Sequence, residues 1–127
     1  MTQVLVDTSV WVQHFRRTDP TLVILLQADR VLTHPMVVAE LACGTPPEPR
    51  LQVLSSLDLL QQPVQATLAE TRVFIEEQRL FGLGCGLVDL ALLASVLLTP
   101  GAQLWTLDKR LAGLASRFGV DFQRATY

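Results

Sequence analysis

The sequence lacks the features that mark several classes of protein. Its two cysteines, Cys43 and Cys85, are far apart and form no Cys-x-x-Cys pair, which argues against a zinc site or a disulfide scaffold. We expect both to be reduced, buried thiols in a cytoplasmic protein. Its longest apolar run, Leu90 to Leu98, is far shorter than the ~20 residues of a bilayer span. The amino terminus has no basic residues of the kind that begin a signal peptide.

The chain also has no large excess of positive or negative charge. The formal net charge is −2 at pH 7, which argues against a generally basic nucleic-acid binder but leaves room for a local basic rim. What the chain does have is apolar residues: they make up 50% of its 127 positions. We therefore expect a single domain, residues 1–127, with some apolar surface covered by a partner.

Predicted strands and helices alternate along the chain. This alternation predicts an α/β fold with helices on both faces of a mostly parallel sheet of about four to five strands. The longest predicted helix should turn Leu68, Val73, Phe74 and Leu80 inward, and the glycine-rich segment 82–86 should be a helix stop and hinge. The predicted strands are 4–6, 31–33, 57–60, 103–107 and 120–122; the predicted helices are 10–17, 21–27, 36–43, 50–56, 65–81, 87–98 and 108–118.

Four acids occupy positions that their surroundings explain poorly. Asp7 and Asp108 each follow a predicted strand, Asp89 lies in the first turn of an almost wholly apolar helix, and Glu40 is the only charge in an apolar segment. Each aspartate taken alone is explained as a helix cap or a favourable dipole contact. Glu40 is harder to explain, because an unpaired buried carboxylate is costly. Parallel crossovers could bring all four to one edge of the sheet.

Four converging carboxylates need a cation. Oxygen ligands without histidine or cysteine at useful spacing indicate Mg²⁺ or Mn²⁺ rather than zinc. Such a site suits hydrolysis of phosphodiesters. Four cations are candidates for a rim that contacts an RNA backbone, although solvated helix-end charges explain them equally well. They are Arg16, Arg17, Lys109 and Arg110.

Four segments in order resemble the motifs of PIN-domain ribonucleases, most closely the small VapC-type toxins of toxin–antitoxin pairs. The resemblance spans essentially the whole chain. The segments are Val6-Asp7-Thr8-Ser9-Val10-Trp11, Val38-Ala39-Glu40-Leu41, Val88-Asp89-Leu90-Ala91-Leu92-Leu93-Ala94 and Thr106-Leu107-Asp108-Lys109-Arg110-Leu111.

The resemblance implies a three-layer α/β/α sandwich and an endoribonuclease dependent on Mg²⁺ or Mn²⁺. It assigns Asp7 and Asp89 as the principal metal-binding acids, Glu40 as the acid that completes the site, and Asp108 as a more variable fourth. Ser9, with Thr8, matches the hydroxyl that braces the first acid. A homodimer and a cognate VapB-type antitoxin are also implied.

Two other interpretations compete. A receiver-like signalling module also places acids at strand ends, but it needs an acceptor aspartate after its third strand, where this chain has Gln61-Gln62-Pro63. A catalytically silent PIN-like scaffold would bind RNA or protein without cutting. We assign neither His14 nor His34 to a metal, and expect Trp11 and Trp105 in the core or an interface.

Overall fold

The computed structural model describes residues 2–124, which form three strands and seven helices. The predicted domain also includes Met1 and residues 125–127, which lie outside the described part. In chain order the elements are β1 (Gln3–Val6), α1 (Thr8–Arg16), α2 (Pro20–Gln27), β2 (Val31–Leu32), α3 (Pro35–Ala42), α4 (Arg50–Asp58), α5 (Leu68–Gln78), α6 (Leu87–Leu98), β3 (Ala102–Trp105) and α7 (Lys109–Arg117).

Strand β1 is the centre of the sheet. The strand order is β2-β1-β3, and both neighbours run parallel to it, as predicted. Leu5 is in register with Leu32 on one side and Leu104 on the other, and Val6 pairs with Trp105. The carboxyl ends of β1 and β3 therefore coincide.

Helices cover both faces of β1. Successive residues of a strand point to opposite faces, yet Val4, Leu5 and Val6 are all 0% exposed. Helix α2 packs on β2, and α6 and α7 pack on β3. Full burial of each such side chain contributes about 1.5–3 kcal/mol, so this short strand is a major part of the core. The arrangement confirms the predicted α/β sandwich with a parallel sheet.

The outer strands are shorter than predicted. Residues 57–60 are not a strand, because α4 continues to Asp58 with buried Leu57 on its inner side, while Leu59 is 86% exposed. Only Gln61 forms a parallel bridge to Leu32, and on the other edge Asp121 forms one to Leu104. Three strands flanked by two single-residue bridges thus replace the four to five strands expected.

The longest predicted helix is also trimmed at both ends. Thr67 and Glu70 form a reciprocal capping box that starts α5 at Leu68, and Arg79 in the left-handed conformation ends it. The predicted inner face is half wrong. Leu80 is buried, whereas Leu68 and Val73 are 65% and 54% exposed.

The exposed part of α5 borders an apolar groove shared with α6. Val73 and Phe74 line it from α5, and Leu97 and Leu98 line it from α6. The groove has a volume of about 430 Å³. It supplies the uncovered apolar surface that the composition predicted.

The structure also tests the expectations for the cysteines, for a membrane span and for the tryptophans. Both cysteines are free thiols as predicted, but Cys43 is exposed rather than buried, and Cys85 is half-buried. No helix within residues 2–124 is long and apolar enough to cross a bilayer. Trp11 and Trp105 are both 3% exposed and belong to the core.

Candidate metal centre

Asp7 lies directly at the end of β1, where its backbone N–H donates to the carbonyl of Trp105 at 2.9 Å. It occupies the N-cap position of α1, yet its carboxylate accepts no hydrogen bond from the backbone N–H groups of that helix. The simple explanation of Asp7 as a helix cap is therefore wrong. The residue is 5% exposed and carries its carboxylate for another purpose.

Two hydroxyls hold the Asp7 carboxylate. Ser9 donates to Oδ2 at 2.9 Å and Thr106 donates to the same oxygen at 2.7 Å. Val6 and Trp105 are in register, so Asp7 and Thr106 are the next pair beyond the strands. No donor within residues 2–124 reaches Oδ1, which leaves that oxygen available to a ligand.

Thr106 is a site residue that the sequence reasoning missed. It immediately follows β3, at the edge where the acids were expected, but a threonine after a strand carries no signal of its own for a metal site. The structure also corrects the pairing of Thr8. Its hydroxyl donates at 2.6 Å to Oε1 of Glu40, not to Asp7, so Ser9 alone matches the predicted brace.

Glu40 lies past the middle of α3 and is exposed. Its hydrogen bond to Thr8 joins α3 to the start of α1, the turn that Asp7 begins. The puzzle of an isolated acid in an apolar segment is resolved by this placement at the rim. The carboxylate avoids the cost of burial and faces the same end of the sheet as Asp7.

The pKa of Asp89 is affected by the charges of the other three acids, which shows that the four lie near one another. It is half-buried in the first turn of α6. Burial raises its pKa most, and the negative charge of Asp7 raises it further. The charges of Asp108 and Glu40 also raise this pKa, while the Gly86 backbone lowers it. The carboxylates repel one another, which is the condition that a bound cation relieves.

Asp108 combines a structural role with a free oxygen. Its Oδ1 accepts from the backbone N–H groups of Arg110 and Leu111, at 2.9 and 3.1 Å, and so caps α7. The cap interpretation is thus correct for this acid. No donor among the described residues engages Oδ2, and the charge still acts on Asp89.

The donor set fits Mg²⁺ or Mn²⁺, although its members are not closed around an ion. All the candidate ligand atoms are carboxylate oxygens, which suits these hard cations. Within residues 2–124 no three acidic, histidine or cysteine side chains are grouped closely enough to enclose a metal. A bound ion would therefore have to draw the carboxylates together.

The four candidate cations are not equivalent. Arg16 lines a cleft together with Glu40, whereas Arg17 lines a different one with Asp19 and Arg124. Lys109 is exposed at the first position of α7. The structure therefore separates two arginines that are adjacent in sequence.

Arg110 lies over the glycine segment that precedes α6. A Cβ on Gly84, which has a φ of +88°, would come within 2.6 Å of the Arg110 guanidinium. Gly84 thus permits both the backbone turn and the close approach of the arginine. The charge of Arg110 also reaches the Cys85 thiol, whose pKa is raised chiefly by burial and by the charge of Asp89.

Neither histidine faces the acids as a ligand. His34 is buried and caps α3, where its Nδ1 accepts from the Met36 backbone N–H at 3.1 Å. Its Nε2 lies 3.3 Å from the Ser95 hydroxyl. Since Nδ1 accepts, the neutral ring carries its proton on Nε2 and donates to Ser95. His14 accepts from the Asp19 backbone N–H.

A parallel sheet flanked by helices, with acids at the carboxyl ends of its strands, is the arrangement expected of a PIN domain. A family model of the PIN domain matches residues 4–116, and the chain belongs to the PIN-domain family. It is 45% identical over 117 residues to Ribonuclease VapC32 of Mycobacterium tuberculosis, strain CDC 1551 / Oshkosh, an alignment covering 92% of this chain and 94% of that protein. The same figures hold for Ribonuclease VapC32 of strain ATCC 25618 / H37Rv. The predicted VapC-type resemblance is confirmed.

Proposed function

We propose that this protein is a divalent-metal-dependent endoribonuclease, the toxin of a toxin–antitoxin pair, and that Asp7, Glu40, Asp89 and Asp108 hold Mg²⁺ or Mn²⁺. One observation carries the proposal most. The Asp7 carboxylate caps no backbone N–H group of α1, but is held through one oxygen by Ser9 and Thr106 while its charge raises the pKa of Asp89. The carboxylate is oriented for a ligand rather than for stability.

The acids have different roles in this proposal. Asp7 presents its unengaged Oδ1. Half-buried Asp89 lies near enough for the charge of Asp7 to raise its pKa, and it forms no salt bridge within residues 2–124. Glu40, held by Thr8, and the free Oδ2 of Asp108 complete the site from the rim. A bound divalent cation would polarise the phosphoryl oxygens and lower the pKa of a bound water. The chain then needs no nucleophile of its own.

The basic residues are proposed to hold the RNA backbone beside the acids. Arg16 and Arg110 are the best supported, because the first lines a cleft with Glu40 and the second lies over the loop leading to Asp89. Lys109 adjoins Asp108 and is exposed to solvent. Arg17, which lines a separate cleft, is the least supported of the four.

The partners are proposed from the family and from the surface. We propose that a VapB-type antitoxin binds this protein and blocks the site. We also propose that the protein is cytoplasmic and does not bind membranes. We also propose a homodimer. The apolar groove between α5 and α6 supports it, because exposed Leu68, Val73 and Leu98 are surfaces that a second copy would cover.

Cleavage of RNA by the purified protein tests the proposal. We would compare the intact chain with Asp7→Asn on a structured RNA pool, with Mg²⁺, with Mn²⁺ and with chelator. The substitution retains shape but removes a charge that the cation needs. Asp58→Asn is the matched control, because Asp58 is an exposed acid at the end of α4.

We expect the intact chain and Asp58→Asn to cut equally, and Asp7→Asn or added chelator to stop cleavage. Equal cleavage by Asp7→Asn would contradict the proposed site. A protein that binds RNA but cuts none of it, free of antitoxin and with Mn²⁺ present, would instead favour the silent scaffold.

A further inference from the structure

A cleft next to Glu40 is not used by the acids themselves. It lies between α1 and the segment that follows α3, and its volume is about 460 Å³. Apolar groups make most of its wall, and the charged groups are Glu40 and Arg16. The residues that line it are Val12, Phe15, Arg16, Glu40, Leu41, Gly44, Thr45, Pro46 and Pro47.

Helix α1 divides its surface between this cleft and a second one. Val12 and Arg16, four residues apart, line the cleft beside Glu40, whereas Gln13 and Arg17, also four apart, line the other cleft. Residues at this spacing lie on one face of a helix. The apolar side chain and its arginine therefore form one face, directed to the acid cluster.

The chemistry of the cleft matches a nucleotide. Half-buried Phe15 offers part of an aromatic ring and exposed Pro47 offers flat apolar surface, on which an unpaired base can pack. Arg16 offers a charge for the adjoining phosphate. Glu40 belongs both to the acid cluster and to the cleft, so the cleft opens beside the place where a phosphate at the acids would lie.

We propose that this cleft binds one unpaired base of single-stranded RNA next to the scissile phosphate, with Arg16 holding the phosphate beside it. The inference rests on the proposed ribonuclease function and adds to that site a subsite for the base next to the cut. A duplex cannot present a base to such a cleft without unstacking it.

Single-stranded RNA oligonucleotides with one abasic ribose at successive positions test this proposal. For the intact chain, the abasic site at one position adjoining the cut should lower kcat/KM roughly 5- to 160-fold, the range for loss of one stacked base. Val12→Trp fills the cleft and should show the same loss on unmodified RNA, with no further sensitivity to that abasic position. Gln13→Trp places the same side chain on the other face and should behave as the intact chain.

Two further readouts separate binding from catalysis and folding. In an Asp7→Asn background, which holds RNA without cutting, adding Val12→Trp should weaken RNA binding about tenfold, and circular dichroism should show both tryptophan variants folded. Arg16→Ala should reduce the slope of log affinity against log salt by about 0.7, the value for one phosphate contact on a single strand. Arg72→Ala, on exposed α5, should leave that slope unchanged.

Other outcomes would overturn the inference. If Asp7→Asn is inactive but no abasic position matters and Val12→Trp cuts normally, the cleft holds no base and the ribonuclease proposal stands alone. If Val12→Trp instead changes the molecular mass in solution or abolishes capture of a purified antitoxin while RNA binding is intact, the cleft is a protein interface. If Asp7→Asn cuts as the intact chain does, the proposed function fails and the inference with it.

Discussion

Replacing Asp89 by asparagine is expected to stabilise the metal-free protein at neutral pH while abolishing cleavage of RNA. The folded-state pKa of Asp89 lies above its ordinary value of 3.8, through burial first and the charge of Asp7 second. Such a group contributes stability below pH 3.8 that is lost as the pH rises through the folded-state pKa. At pH 7 the ionised carboxylate therefore lowers the free energy of unfolding, and the neutral amide should not.

Burial is the larger cause of the effect, and Coulomb repulsion from Asp7 adds a part whose size can be calculated. Two unit charges roughly 6 Å apart repel by about 0.7 kcal/mol in water and about 3 kcal/mol in the partly shielded dielectric near a protein surface. Half-burial places Asp89 between these limits, so we expect a gain of about 1 kcal/mol. For a domain of this size that gain raises Tm by roughly 3–5 °C.

Thermal unfolding by circular dichroism, with chelator and then with Mg²⁺, measures this effect. The intact chain should gain stability as Mg²⁺ is added, because ligand binding to the folded state raises Tm. Asp89→Asn should start higher and gain little. The difference between the two proteins should vanish below pH 3.8. A metal-free Asp89→Asn protein that is less stable than the intact chain at pH 7, with no response of either to Mg²⁺, would refute the reasoning.

Three further predictions follow from individual contacts. Thr106→Val keeps the shape but removes a donor to Asp7, so cleavage should fall tenfold or more with Tm nearly unchanged; an unchanged rate would remove Thr106 from the site. Burial lowers the pKa of His34 below 6.5, so the free energy of unfolding should fall as the pH drops below 6.5, and His34→Asn should flatten that part of the pH profile. Gly84→Ala forces a side chain into the space of Arg110 at a positive φ, so both Tm and RNA affinity should fall, whereas Gly113→Ala should lower neither.

The centre of the fold could be predicted because its signals are local. Val4 to Val6 form an unbroken β-branched and aliphatic run that ends at Asp7, and the structure places this run at 0% exposure in the middle strand. Helix α6 was predicted with its observed bounds, Leu87–Leu98. It is apolar on every side, as a helix buried against the sheet must be.

The edges of the fold depended on competing signals. The spacing of Leu57 and Leu60 fits the hydrophobic pattern of a strand or of a helix. Helix α4 continues through Leu57 because Val53, Leu54 and Leu57 share one helical face toward the core. The start of α5 is marked in the sequence by Thr67 and Glu70, which have the spacing of a capping box. Exposure of Leu68 and Val73 has no local signal, since it depends on which neighbours cover α5.

The candidate site was predictable in its acids but not in its supports. Three aspartates at strand ends or a helix start, and a glutamate that is the one charge of an apolar segment, stand out in this chain. That Thr106 faces Asp7 follows only from the register of β1 with β3, which sequence alone does not give. Arg16 and Arg17 line different clefts, and this difference depends on the packing of α1. In the sequence, both are equally suited to contact a phosphate.

A crystal of the protein soaked in Mn²⁺ and measured at a wavelength where manganese scatters anomalously tests the central claim most directly. The claim predicts an anomalous peak between Asp7 and Asp89, in contact with Oδ1 of Asp7, because Ser9 and Thr106 occupy Oδ2. The same soak of Asp7→Asn should show no peak there. Manganese bound elsewhere in the intact protein, with these carboxylates free, would contradict the claim that they form a metal centre.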